Sequence, residues 1–179
     1  MSRIGRAPIT LPSGVTAEFK DGIVTVTGPK GSLTQEIFGD INVDIKDNVL
    51  TLTRANDEKS NKEKHGLYRS LVNNMVKGVT EGFSRNLVFN GVGYKIQKTG
   101  NRLVMNIGLS HSVSVEEEGG CTIEIVSPTE ISIKGIDKCK VGQFAAKIRA
   151  IRPVEPYHGY GIRYNDEVVN RKVFKSGKK

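Results

Sequence analysis

The sequence predicts an α+β fold: two similar tandem domains, each an antiparallel β-sheet packed against one α-helix, with a basic C-terminal tail. Three observations predict it. Short β-branched runs are closed by Gly, Pro, Asp and Asn, two longer stretches change to the helical period, and the whole order of elements occurs twice.

Strand-like runs open the chain at residues 15–19 and 23–27, flanking a Lys-Asp-Gly turn, and the second stops at Gly28-Pro29. Alternation continues at 32–37, at 41–45 and, after Lys46-Asp47-Asn48, at 49–53. Such runs read as hairpins of an antiparallel sheet. From 59 to 79 the period changes: Leu67, Leu71, Val72, Met75, Val76 and Val79 form one stripe of a helix, which Gly78 and Gly82 are expected to end. Strands are then expected at 87–89, 94–98, 103–107, 113–115, 122–126 and 130–134. A second helix follows over 138–151, with Val141, Phe144, Ala145, Ile148 and Ile151 on one face. Pro153 and Pro156 stop it, because proline cannot continue a helix and restricts the residue before it.

The repetition holds at a constant offset of 80: Val24 meets Val104, Gly28 meets Gly108, Ser32 meets Ser112, Ile45 meets Ile125, and Arg69 meets Arg149. The expected domains are 1–82 and 83–167, joined around 80–85, with a basic tail at 168–179.

The formal net charge is +8, which fits a protein that meets a polyanion. From residue 149 onward eight basic side chains face three acidic ones, a local net charge of +5. No stretch approaches the ~20 apolar residues of a membrane span, and the N-terminus lacks a signal-peptide core. Cys121 and Cys139 have no CxxC or CxH pairing and read as thiols of a reducing compartment. A soluble cytosolic protein is expected.

Gly28-Pro29-Lys30-Gly31-Ser32 lacks the spacing of a phosphate loop, and a strand is expected after it, so it reads as a hairpin turn. Gly91-Val92-Gly93-Tyr94 begins like a dinucleotide fingerprint but has Ile96 at the sixth position. His65, His111 and His158 are scattered without metal-ligand spacing. Glu116-Glu117-Glu118 reads as a solvated turn. No catalytic constellation, metal site, cofactor or small-molecule substrate is expected.

The segment EPYHGYGIRY, residues 155–164, differs from all of these. Prolines and glycines exclude a helix stripe, so an irregular loop is expected that shows Tyr157, Tyr160 and Tyr164 beside Arg149, Arg152 and Arg163. Gly159 and Gly161 allow close approach of a bulky partner. Tyrosine and arginine planes stack on unpaired bases, while Lys and Arg neutralise phosphates. The tail, VVNRKVFKSGKK, is expected to order only on an anionic surface.

Several segments carry a resemblance: SRIGRAPI at the start, VTGPKGSL at 26–33, NNMVKGVTEGF at 73–83, NGVGYKI at 90–96, NIGLSH at 106–111 and IRAIRPVEPYHGYGIRY at 148–164. Together they resemble the bacterial-type large-subunit ribosomal protein L-six family, end to end. The resemblance implies two α+β domains made by internal duplication and binding to large-subunit rRNA close to the sarcin–ricin loop, where translation GTPases dock. It also implies neighbouring large-subunit ribosomal proteins as partners, a cytoplasmic ribosome as the location, and no enzymatic activity.

The RNA-binding residues expected from the loop, the tail and the resemblance are Arg149, Arg152, Tyr157, His158, Gly159, Tyr160, Arg163, Tyr164, Arg171, Lys172, Lys175, Lys178 and Lys179. One departure stands out: the family pattern P-E-P-Y-K-G-K-G-I places lysines where this chain has His158 and Tyr160. Tyr160 is expected to replace a charge contact with stacking or a phosphate hydrogen bond. An enzyme acting on RNA and a free regulatory RNA-binding module outside the ribosome are the rival readings.

Overall fold

The computed structural model describes residues 3–175. The chain forms two compact units, one running to Phe83 and including Ile136–Lys138, the other comprising Ser84–Gly135 and the chain from Cys139 onward.

In the first unit a four-residue helix α1 (Arg3–Arg6) and a short β1 (Ile9–Thr10) precede β2 (Thr16–Lys20), β3 (Ile23–Gly28), β4 (Gly31–Glu36), β5 (Ile41–Lys46) and β6 (Val49–Arg54). The strands divide into two antiparallel sheets, β2-β3-β4 and β1-β6-β5. Asp21-Gly22 and Asp47-Asn48 all have positive φ, the geometry a two-residue hairpin demands, and so set the registers Lys20↔Ile23 and Lys46↔Val49. Period-2 alternation sends Val24 and Val26, and likewise Leu50 and Leu52, into the core.

Helix α2 (Lys59–Thr80) covers this core with His65, Tyr68, Val72, Met75, Val76 and Val79. The stripe is rotated from the expected one: Leu67 is 55 % exposed, and Tyr68 takes the inward position. Its hydroxyl accepts the Phe38 N–H at 3.0 Å, so the amphipathic ring satisfies its polar end while burying its body. Gly78 does not end the helix. It lies within it, where a Cβ would run into the carbonyl of Ile136. The stop is Gly82, at φ +80°, whose N–H returns to the Lys77 carbonyl at 3.1 Å.

Apart from the boundary residues Phe83 and Lys138, the second unit is made of β7 (Phe83–Asn90), β8 (Lys95–Thr99), β9 (Arg102–Asn106), β10 (Val113–Glu116), β11 (Thr122–Ser127), β12 (Glu130–Gly135), α3 (Lys138–Ile151) and β13 (Gly161–Tyr164). Its sheets are β10-β9-β8 and β11-β12-β7-β13. Subtracting 80 maps β8, β9 and β10 onto β2, β3 and β4, and β11 and β12 onto β5 and β6. The internal duplication is therefore visible strand by strand. Helix α3 buries Val141, Phe144, Ala145 and Ile148.

Two features break the repeat. Helix α3 ends at Ile151, so residues 152–160 take another course where α2 continues to Thr80. Strand β13, which the sequence reading treats as loop, adds itself to the edge of β7 with Ile162↔Phe89 and Tyr164↔Leu87 in register.

Candidate nucleic-acid interface

The chain leaves α3 through Pro153 and is turned back by backbone pairing. Ile162 N–H donates to the Arg152 carbonyl at 2.8 Å, Glu155 N–H to Tyr160 O at 2.9 Å, and Gly159 N–H to Glu155 O at 3.0 Å. Inside this turn the Glu155 carboxylate acts as a cap. Oε1 accepts the N–H groups of Tyr157 (3.0 Å) and His158 (3.2 Å), and Oε2 faces His158 Nδ1 at 3.1 Å. Partial burial works against the ionised carboxyl, but the bonds from His158 and Tyr157 outweigh it and hold Glu155 below the ordinary carboxylate range. From β7, Asn90 Nδ2 donates to the Gly159 carbonyl at 2.9 Å, fixing the loop to the sheet.

Gly161 has a structural reason to be glycine. Its φ is +142°, and a Cβ there would lie 2.6 Å from the Pro153 carbonyl oxygen. That close approach lets β13 begin directly after the turn, where fully buried Ile162 anchors it in the core.

Three expected RNA contacts are engaged within the chain. Arg149 donates through Nε to Glu167 Oε2 at 2.8 Å and through Nη2 to Oε1, a bidentate ion pair. The Arg149 hydrogen bond holds the Glu167 carboxyl below its ordinary value despite partial burial, and Tyr164 N–H adds a bond at 3.1 Å. Arg163 Nη1 reaches the carbonyls of Tyr164 (3.4 Å) and Glu167 (3.3 Å). The Tyr164 ring carries Arg85 at 4.6 Å and Arg149 at 5.5 Å from its centroid. These side chains build the base of the loop.

The exposed side of the loop is aromatic and basic. Tyr157 stacks on Phe174 with centroids 5.1 Å apart, His158 stacks on Tyr160 at 5.5 Å, and Phe174 meets His158 at 5.4 Å. Phe174, which sequence reasoning passed over, is the only aromatic residue in the basic run after residue 164. The tail up to residue 175 is not separate from the loop: Lys172 N–H donates to the Pro156 carbonyl at 2.9 Å. Arg171 lies so close to Gly159 that a Cβ there would be 3.1 Å from its Nε. Arg152, Arg171, Lys172 and Lys175 have no carboxylate partner among the described residues. Lys178 and Lys179 lie outside the described residues.

The other candidates have structural roles. Gly28-Pro29-Lys30-Gly31 is the β3–β4 hairpin, with Gly28 paired to Gly31 and Lys30 N–H bonded to Val79 O at 3.1 Å. Ser110 and His111 are exposed and 3.4 Å apart. Of the glutamate run, Glu116 pairs with Arg102 and Glu118 with Lys147. Glu117 is not solvated: its side chain is 10 % exposed and accepts from Lys98 Nζ (2.7 Å) and Ile123 N–H (2.6 Å). Cys121 is buried and Cys139 exposed, with no disulfide between them. Among the described residues no His, Cys, Asp or Glu cluster could hold a metal ion, and no helix is long and apolar enough to cross a membrane.

A duplicated α+β protein, whose second copy replaces the end of its helix with an aromatic, cationic loop, has the make-up of a binding protein of the nucleic-acid-contacting class. The chain belongs to the ribosomal protein L6 family, whose model matches residues 11–82 and 90–165, one stretch for each repeat. It is similar to the large ribosomal subunit protein uL6 of Pelotomaculum thermopropionicum, 52 % identical over 179 residues covering all of this chain and 98 % of the relative. The protein of that name from Shouchella clausii is 49 % identical over 178 residues, covering 99 % of this chain and all of the relative. That of Bacillus cereus strain ATCC 14579 is 50 % identical over 179 residues, covering 99 % of this chain and all of the relative.

Proposed function

We propose that this protein is a structural, non-catalytic constituent of the large ribosomal subunit in the cytoplasm, holding large-subunit rRNA and touching neighbouring ribosomal proteins. The observation that carries this reading is end-to-end identity of about half with proteins named for that subunit. The rRNA segment is the one near the sarcin–ricin loop, beside the docking region of translation GTPases. The functional parts are the repeats 1–82 and 83–167 and the tail 168–179.

In this reading Arg152, Arg171, Lys172 and Lys175 neutralise phosphates, continued by Lys178 and Lys179. Tyr157, His158 and Tyr160 meet sugar or base, and Gly159 lets the backbone approach. Arg149 and Arg163 act one layer behind, because their guanidinium groups already have partners in the chain, and Tyr164 acts with them, because its ring carries Arg85 and Arg149. Sucrose-gradient sedimentation tests the assignment. The native protein is expected to travel with large subunits; persistence in the soluble fractions would favour a free regulatory RNA-binding module. Crosslinking on assembled subunits then tests the sarcin–ricin neighbourhood.

A further inference from the structure

We infer that the linked rings of Tyr157, Phe174, His158 and Tyr160 form a stacking platform for an unpaired RNA nucleotide, with Arg171, Lys172 and Lys175 holding its flanking phosphates. This rests on the rRNA-binding reading above and names the kind of RNA that the face accepts.

Exposure is the first argument. Tyr157 is 43 % exposed, Tyr160 39 % and Phe174 60 %, a concentration of aromatic surface on a loop that the core does not need. The second is order. Interplanar angles of 27° for Tyr157–Phe174 and 13° for His158–Tyr160 set the rings in two parallel pairs, which Phe174 joins by its contact with His158. The ladder ends at Tyr157 and Tyr160, and each keeps a ring face with no aromatic partner among the described residues. A flat π-system slides onto such a face without rearranging the protein.

The backbone beneath is held by the Glu155 cap, the Asn90 bond to Gly159 and the Lys172–Pro156 bond. Ordering is thus present before the ligand arrives, which lowers the entropic cost of binding. The charge is complementary to a phosphate chain. The one carboxylate in the turn, Glu155, is occupied by two backbone N–H groups and His158. An A-form duplex hides its base faces and would leave the rings against sugar and phosphate. A splayed-out nucleotide presents both the face and the charge that this surface matches.

The test uses the full chain and two RNA probes: a hairpin with 2-aminopurine in its unpaired loop, and a blunt duplex of the same stem. The wild-type protein is expected to bind the hairpin more tightly and to quench its fluorescence by stacking. Tyr157→Leu and Tyr160→Leu keep apolar bulk and remove the two ring faces that end the ladder. Each is expected to weaken hairpin binding by about five- to a hundredfold and to weaken duplex binding much less. Equal affinity for both probes, no quenching by wild type, or equal losses on both probes would overturn the platform while leaving RNA binding intact. Binding of neither probe would overturn the RNA reading of this face as well.

Discussion

The guanidinium of Arg149 grips the carboxylate of Glu167, Nε donating to Oε2 at 2.8 Å and Nη2 to Oε1. The last cation of α3 is thereby tied to the turn after β13, and its charge is matched within the chain. Through Glu167 Oε2 the same pair holds the Tyr164 N–H at 3.1 Å, so it fixes the strand that follows the 152–160 loop. Charge counted along the sequence therefore overstates what the loop offers to a polyanion.

Glu167→Gln is expected to lower unfolding stability by about 1–2 kcal/mol, between the values of exposed and buried charged pairs because both side chains are only partly covered. Urea denaturation followed by circular dichroism measures it. An unchanged midpoint would show that the pair is incidental to the fold.

That stability difference depends on pH in a set direction. The folded-state pKa of Glu167 lies below that of an unfolded glutamate because Arg149 hydrogen-bonds its ionised form. The contribution is complete above the unfolded value of about 4.3 and is lost as the pH falls through the folded value. Wild type and Glu167→Gln should differ by a constant amount near neutrality and converge in acid. A gap that widens as the pH falls contradicts this.

Salt titrations of rRNA binding should separate the cations by role. Lys172→Gln is expected to reduce the slope of log affinity against log salt by about 0.7–0.9, as one phosphate contact is lost. Arg149→Gln should leave the slope nearly unchanged, since that charge is already paired. Deleting 168–179 should weaken binding strongly and flatten the slope by several such steps. An unaltered slope after the deletion would mark the tail as a solvated end.

Gly161→Ala brings a Cβ to 2.6 Å from the Pro153 carbonyl oxygen at a φ of +142°. A loss of about 2–4 kcal/mol is expected from combined backbone strain and overpacking. Gly142→Ala, at a helix position with open space, serves as the control and should be neutral or slightly stabilising. Thermal melts of the two variants decide it, and equal midpoints would refute the strain at Gly161.

Much of the fold was legible because its signals are local. Alternating valines at 24 and 26, the Asp21-Gly22 turn and the proline-ended stripe of α3 each act within a few residues, and the offset of 80 repeats them. The site was legible as composition only. Strand β13 escaped because GIRY becomes a strand by pairing with residues 87–90, far back in the chain. Leu67 was misplaced because a stripe of leucines ignores Tyr68 and His65, which bury apolar bodies while bonding through their polar atoms.

By itself the sequence determined the α+β class, the duplication, both main helices and the concentration of tyrosines and cations near the C-terminus. Each follows from periodicity, turn chemistry or charge, which are properties of neighbouring residues. Tertiary structure alone decided that Arg149 and Arg163 serve the fold, that Glu155 caps the turn, and that Phe174 joins Tyr157, His158 and Tyr160. The reason is physical: whether a charge or a ring is available depends on the partners that folding brings to it, from the same turn for Glu155 and Arg163 and from farther along the chain for Arg149 and Phe174.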